Sequence, residues 1–337
     1  MLKKAVTVAV AVLALGVFSL AQGRAETTLR FQCAYPEKAH SGQSTKFFAN
    51  EVAKLTNNQV QIKVIWPNQG AKISKAFDAV CQGALDGYSG SLLYFAKKVP
   101  EVNCQWLPFN WANAAEAKEV LLKDGYMQVM DEAVAKHGVT YLGALSVCSM
   151  GLLTKFPVTK IGDLKDKKIR AVGMEAEIVQ ALGATAVNSP AADQFKALQS
   201  GLVDGTDYPW YTVEQYKFYE VLDHIVKPAF HTPGVVEIII NTKVLKALSP
   251  ENQQAVQKAA MKAMEDSFGQ SDQLDQEALS KSQKLGVKIS TVPEYQLVRF
   301  RGATRHLWNA EAKKSPYSAK LVEILRNHLK KVMGIEQ

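Results

Sequence analysis

Apolar positions along this chain switch repeatedly between a period of two and a period near three and a half, and the switches mark strands alternating with helices. The clearest run spans 163–210: DLKDKKIRAVG, then EAEIVQALGATAVNSPAADQFKALQSG, then LVDGTDYPW. Residues 168–172 read as a short apolar strand. Residues 175–182 place Ile178, Val179 and Leu182 on one helical face, and Gly183 stops that helix. A second strand follows at 184–187. Ser189 then caps a helix with Pro190 at its first position, Phe195 and Leu198 facing inward and Gly201 at its end. This order predicts a parallel sheet covered by helices, with its ligand crevice at the carboxyl ends of the strands.

Upstream, 28–35 reads as a strand and 45–55 as a helix, with Phe47, Phe48, Val52 and Leu55 as its apolar face. An alternating strand at 60–66, a helix at 72–82 and a strand at 84–89 follow. Residues 115–136 predict one long helix, and 139–149 a strand ending near the crevice. Downstream, 213–219 predicts a helix and 235–241 a nearly all-apolar strand that crosses back into the first part of the chain. Ser249 and Pro250 open a helical pattern that runs, with a break near Gly269, to about residue 285. At 1.5 Å per residue it extends roughly 50 Å, enough to span two lobes. Two more periodic segments, 295–313 and 317–333, finish the chain.

The segment FDAVCQGALDG (77–87) aligns without gaps on FKALQSGLVDG (195–205). Each copy is a helix closed by glycine and followed by a strand, so the chain reads as two similar α/β lobes enclosing a cleft. Chance likeness of two helix–glycine–strand units is the plainer alternative. The expected division is lobe I at 26–149 plus about 235–275, and lobe II at 150–234 plus about 276–337.

The first 25 residues differ from the rest. Lys3 and Lys4 precede an uncharged apolar run from Ala5 to Ala21, and small residues stand before a cut after Ala25. This is a secretory signal, with an uncleaved anchor as the rival reading, so the mature protein is expected in the periplasm. Setting aside Lys3, Lys4 and Arg24 leaves 37 basic residues against 32 acidic, a net charge of +5. The charges are scattered, which argues against a nucleic-acid surface. Cys33, Cys81, Cys104 and Cys148 show no metal-ligand spacing; one or two disulfides and buried free thiols are both open.

Catalytic motifs are missing: no Gly-x-Ser-x-Gly elbow, phosphate loop, dinucleotide fingerprint or His-Glu-x-x-His occurs, and the six histidines are dispersed. No enzyme activity, cofactor or metal is expected. Arg170 stands out, because an unpaired guanidinium within the apolar stretch Ile169-Arg170-Ala171-Val172 is costly. It either binds a carboxylate or sulfonate through its two-pronged fork at a cleft or pairs internally with Asp204 or Asp207. Tyr208, Pro209, Trp210 and Tyr211 follow, either closing over an organic ligand or packing a hinge. Trp106, Phe109 and Trp111 wall a pocket or fill the core.

At these residues the chain resembles the solute-binding proteins of TRAP transporters. Those proteins typically read DLKGLKIRVP, GATPVPMPFSEVYTALQQGVVDGQENP and KFYEV where this chain has DLKDKKIRAVG, GATAVNSPAADQFKALQSGLVDGTDYPW and YKFYEVLDHI. The likeness extends over the mature chain, through LPF at 107–109 and LSPENQQ at the entry to the long helix. It implies a two-lobed periplasmic-binding-protein fold, α/β with parallel-rich sheets and a long helix bracing both lobes. Such a receptor closes on a solute and delivers it to the small and large integral membrane subunits of a permease.

The family arginine that grips the ligand acid falls on Arg170. The family pattern places Asp207 and Tyr208 beside it, with Tyr208 where an asparagine is usual. Val172 replaces a usual proline, Asp166 a usual glycine, and no second arginine stands near 150–152. These departures favour a solute with one acid group, such as a keto acid, a hydroxy acid or isethionate. Trp210 is expected at the ligand, and Tyr35, Trp66, Ser89 and Ser91 are the first-lobe contacts expected from the repeat and the strand ends. The rivals are a secreted hydrolase using Asp204 and Asp207, and a binding protein serving an ATP-driven importer or a sensor.

Overall fold

Eleven strands in two sheets frame the computed structural model, which describes residues 26–67 and 69–334. The expected secretory signal lies outside the described residues. In chain order the strands are β1 (Thr27–Cys33), β2 (Val60–Ile65), β3 (Gly87–Gly90), β4 (Val139–Ser146), β5 (Met150–Thr154) and β6 (Lys168–Arg170). They continue with β7 (Thr185–Val187), β8 (Gly205–Pro209), β9 (His224–Lys227), β10 (Val235–Asn241) and β11 (Lys288–Thr291). One sheet runs β2-β1-β3-β10-β4 and the other β11-β9-β5-β8-β6-β7. Within each, a parallel trio meets an antiparallel strand: β1 lies parallel to β2 and β3, with β10 antiparallel to β3. Likewise β6 lies parallel to β7 and β8, with β5 antiparallel to β8.

β10 crosses back into the first sheet as its sequence predicts. All seven of its residues, VVEIIIN, are buried, which explains why it reads as an apolar run rather than an alternation. Helix Pro250–Gly269 packs on β4 and on helix His40–Leu55. The predicted 139–149 strand ends early, at Ser146 of β4, because residues 147–149 carry the chain from one lobe to β5 in the other. They meet the return crossing at 228–234: Val147 N–H donates to the Gly234 carbonyl at 2.9 Å, and Gly234 N–H to the Cys148 carbonyl at 2.9 Å. The long helix supplies a third crossing. It breaks at Gln270, and Ser149 N–H and Oγ bind Asp275 of the second segment, Ser271–Lys284, at 2.9 and 2.6 Å.

Several expected elements take a different form. The 115–136 helix is two, Ala114–Leu122 and Tyr126–Ala135, separated at Gly125 with φ +83°. Ser189 caps no helix: Pro190 leads a 3₁₀ turn (Ala191–Asp193) into a short helix (Gln194–Gln199). The 213–219 helix is one turn, Thr212–Gln215, followed by a 3₁₀ turn. β9 and β11 had no clear signal, since each is four residues long with mixed polarity. The last helix, Pro316–Met333, packs on the turn Pro100–Trp106 and helix Tyr126–Ala135 of the first lobe, although 276–337 was allotted to the second. The four cysteines are free, with Cys33, Cys104 and Cys148 buried. No helix among the described residues is long and apolar enough to cross a membrane.

Candidate functional site

Arg170 is the last residue of β6, paired with Val187 of β7 and Thr206 of β8. Its side chain is buried, and Nε and Nη2 donate to the Ser189 carbonyl at 3.0 and 2.9 Å. That carbonyl comes from the turn that proline shapes at the end of β7, so it holds one edge of the fork in place. The guanidinium lies 5.5 Å from the centre of the Tyr208 ring. It forms no ion pair among the described residues: Asp204 is occupied by the Lys168 N–H at 2.8 Å, and neither oxygen of Asp207 has a hydrogen-bond partner.

Across the cleft, Tyr35 follows β1 and Ser91 follows β3. Ser91 Oγ accepts from Leu93 N–H at 3.2 Å and so caps the 3₁₀ turn Leu92–Phe95, which carries Tyr94. Glu237 of β10 fixes the same turn by accepting from Leu92 N–H at 2.7 Å and from the Gln105 amide. The lobes are closed. Ser41 Oγ and the Tyr211 hydroxyl are 3.0 Å apart, and His40 N–H donates to Gln215 Oε1 at 3.3 Å. Gly173, with φ +52°, opens the helix after β6 so close to the first lobe that a Cβ would lie 2.5 Å from Leu93 Cγ.

A cavity of about 20 Å³ remains between the lobes, room for about one water. Tyr35, Ser91, Tyr94 and Trp106 line it from the first lobe, and Arg170, Glu175 and Tyr208 from the second. Burial opposes the Arg170 charge, but Tyr94, Glu175 and Tyr208 outweigh it and push its pKa up. Burial raises Asp207 to about 7, with Arg170 pulling the other way. Glu175 is raised well above the ordinary carboxylate range, first by burial and then by Asp207, with Arg170 opposing. Burial likewise holds Tyr35, Tyr94 and Tyr208 as hydroxyls.

Four expected site residues therefore come together at the cavity: Arg170, Tyr208, Tyr35 and Ser91. Four do not line it. Asp207 is fully buried, within the electrostatic influence of Arg170. Trp210 packs in a separate apolar cluster with Tyr211 and Phe218. Ser89 points instead to Thr45 Oγ1 at 2.7 Å, and Trp66 packs against the first core beyond the end of β2. Strand pleat turns Asp207 to the side opposite Tyr208, whereas Ser91 and Trp210 lie beyond the ends of β3 and β8, where the pleat no longer sets their direction. Trp106 does wall the pocket, whereas Trp111 lies in the core with its ring N–H on the Pro233 carbonyl. Tyr94 and Glu175 carried no signal, since they sit in a turn and a helix whose patterns read as ordinary packing.

Two α/β lobes joined by three crossings and closed over a buried, unpaired arginine define a bilobal solute receptor. The chain belongs to the bacterial extracellular solute-binding proteins, family 7, whose profile matches residues 31–315. The family consists of receptors rather than enzymes, and the resemblance to TRAP solute-binding proteins is borne out. A monocarboxylate 2-oxoacid-binding periplasmic protein of Nostoc sp. is 23% identical over 275 residues, 80% of this chain and 75% of that protein. The ectoine-binding periplasmic protein of Halomonas elongata is 27% identical over 178 residues, 52% of each chain. A TRAP periplasmic solute-binding protein of Colwellia psychrerythraea, solved with bound calcium and pyruvate, superposes with a TM-score of 0.83 at 19% identity, covering 92% of this chain and 96% of that one. That likeness is one of fold.

Proposed function

We propose that this protein is the extracytoplasmic receptor of a TRAP transporter, exported to the periplasm and cleaved after Ala25, and that its solute is a small organic acid. The observation that carries this reading is the Arg170 guanidinium, buried at a strand end, lacking any carboxylate partner and facing the interlobe cavity. A buried cation in that state is held for an incoming anion. In the open receptor Arg170 takes the acid group. Closure then brings Tyr35 and Ser91 onto the solute opposite Tyr208, with Asp207 setting the field at the guanidinium. The solute drives closure only as far as it binds the closed state more tightly. The closed surface docks on the two membrane subunits, and an ion gradient there drives uptake. Carboxylates such as keto and hydroxy acids and small sulfonates such as isethionate suit a single guanidinium.

The test is a tryptophan-fluorescence titration of unfolded-and-refolded mature protein with a panel of such acids, followed by recovery of the bound compound. A saturable response to one acid class, with the solute recovered unaltered, supports the receptor. A solute consumed on incubation contradicts it in favour of the hydrolase.

A further inference from the structure

The lobes also meet at residues that do not line the cavity. The first turn of helix His40–Leu55, in the first lobe, touches the residues that follow β8 in the second. Ser41 and Tyr211, joined by their hydroxyls at 3.0 Å, are both buried, and the His40 ring stands edge-on to Tyr211 with 5.8 Å between centres. The first-lobe side of this contact is braced, since Thr45 Oγ1 donates to the Ser41 carbonyl at 3.0 Å and lies 2.7 Å from Ser89 Oγ.

His40 makes the contact sensitive to protons. Its Nε2 is buried with no hydrogen-bond partner. In a neutral ring that atom is an unused acceptor, whereas a protonated ring sets a charged N–H there with nothing to receive it. Opening withdraws Tyr211 and Gln215 with the second lobe and gives that N–H water. The surrounding charges do not reverse the balance. The Ser146 carbonyl at the end of β4 and Asp266 of helix Pro250–Gly269 favour a charged ring, but burial outweighs them and lowers its pKa from 6.5. Asp266 also accepts from the Gln270 amide at 2.9 Å. On the histidine's own helix Lys46 is paired with Glu37 at 2.7 Å, and Glu214, beside Gln215, lies 4.0 Å from Lys281.

We infer that His40, Ser41 and Tyr211 form a latch between the lobes, which favours the closed receptor without touching the solute and is released when His40 takes up a proton. This rests on the receptor reading above and does not depend on which acid is bound. Below pH 6.5 the open receptor accepts a proton that the closed one excludes, so acid favours opening and weakens solute binding.

The experiment is calorimetric titration of wild type, His40→Gln and Tyr211→Phe with pyruvate, lactate and isethionate at pH 8.0 and 5.5, a range in which all three acids stay ionised. The loss of affinity on acidification is expected to be about 5- to 10-fold larger in wild type than in His40→Gln, the effect of one proton held by the open form alone. Tyr211→Phe is expected to bind roughly 5-fold more weakly at pH 8.0, the scale of one hydrogen bond, and to keep the wild-type pH response because its ring still covers His40. His40→Asn takes the place of His40→Gln if the glutamine variant does not fold. Equal losses in wild type and the histidine variant, or unchanged affinity in Tyr211→Phe, overturn the latch and leave the organic-acid receptor intact. If none of the three acids binds, the organic-acid reading fails, and small-angle scattering on solute-free protein decides the latch. A radius of gyration that grows on acidification in wild type and not in His40→Gln supports it, and equal profiles overturn it.

Discussion

Asp86 and Asp204 perform the same task in the two lobes. The Asp86 carboxylate accepts from the Arg30 N–H at 2.7 Å and its own N–H donates to the Arg30 carbonyl at 3.0 Å. The Asp204 carboxylate accepts from the Lys168 N–H at 2.8 Å and its N–H donates to the Lys168 carbonyl at 2.7 Å. In each case the next residue is the glycine that starts the neighbouring strand, Gly87 opposite Phe31 and Gly205 opposite Ile169. The sequence echo is thus a structural repeat. Carried one residue further, the register sets Gln32 of β1 against Arg170 of β6, so the first lobe has a neutral side chain at the position of the arginine.

Removing either carboxylate leaves a strand N–H without its charged acceptor. Asp86→Ala and Asp204→Ala are each expected to lower the unfolding free energy by about 1–2 kcal/mol. Asparagine at either place is expected to recover part of the loss. Urea titrations followed by circular dichroism measure this, and no change in either variant would refute the shared role.

Gly173 is where the closed lobes leave no room for a side chain. Gly173→Ala is expected to favour the open receptor and weaken solute binding roughly 10-fold, about 1.4 kcal/mol. Because the obstructing atom belongs to Leu93, adding Leu93→Ala should restore part of the affinity; the left-handed φ still penalises the alanine. Small-angle scattering with and without solute reports the open and closed populations directly. Normal closure by the single variant would contradict the geometry.

Glu237 makes stability depend on pH. Burial raises its pKa from 4.5 to about 8, with the Leu92 N–H and the Gln105 amide opposing. The folded protein then holds a proton that the unfolded chain releases. This contribution is full below pH 4.5 and is lost as pH rises to about 8, by up to ~1.4 kcal/mol per pH unit. Asp207 and Glu311, each raised to about 7 mainly by burial, act in the same direction. His231, which burial lowers to about 3, acts in the opposite direction, but only below its ordinary value of 6.5. The melting temperature is therefore expected to fall between pH 6.5 and 8, and to fall less steeply in Glu237→Gln. A flat or rising profile in the wild type would contradict the assignment.

Much of this architecture was legible in the sequence because its signals are local. Gly183 and Gly201 both adopt positive φ at the ends of helices they were expected to stop, and the apolar run of β10 marks a strand that crosses back into the first sheet. Asp166, standing where a glycine is usual, has φ +62°, a conformation that aspartate tolerates better than most residues. Tertiary relationships were not legible. Ser91 lines the cavity because it lies beyond β3, next to a turn held by Glu237, which reaches it from a strand far along the chain. Glu175 looked like a helix-start carboxylate, and its place in the cavity follows from the approach of the two lobes. Arg170 was found because a cation within an apolar strand conflicts with its surroundings, and only a site or a buried ion pair resolves that conflict.

The central claim is that Arg170 holds the solute's acid group, and calorimetric titration of wild type, Arg170→Lys and Arg170→Ala with the tightest-binding acid tests it most directly. Loss of roughly 100-fold or more in affinity is expected for alanine, with lysine recovering little because an ammonium cannot bond the Ser189 carbonyl and the acid in the fork's geometry. Circular dichroism must show both variants folded. Affinity in folded Arg170→Ala within a few-fold of wild type would contradict the account.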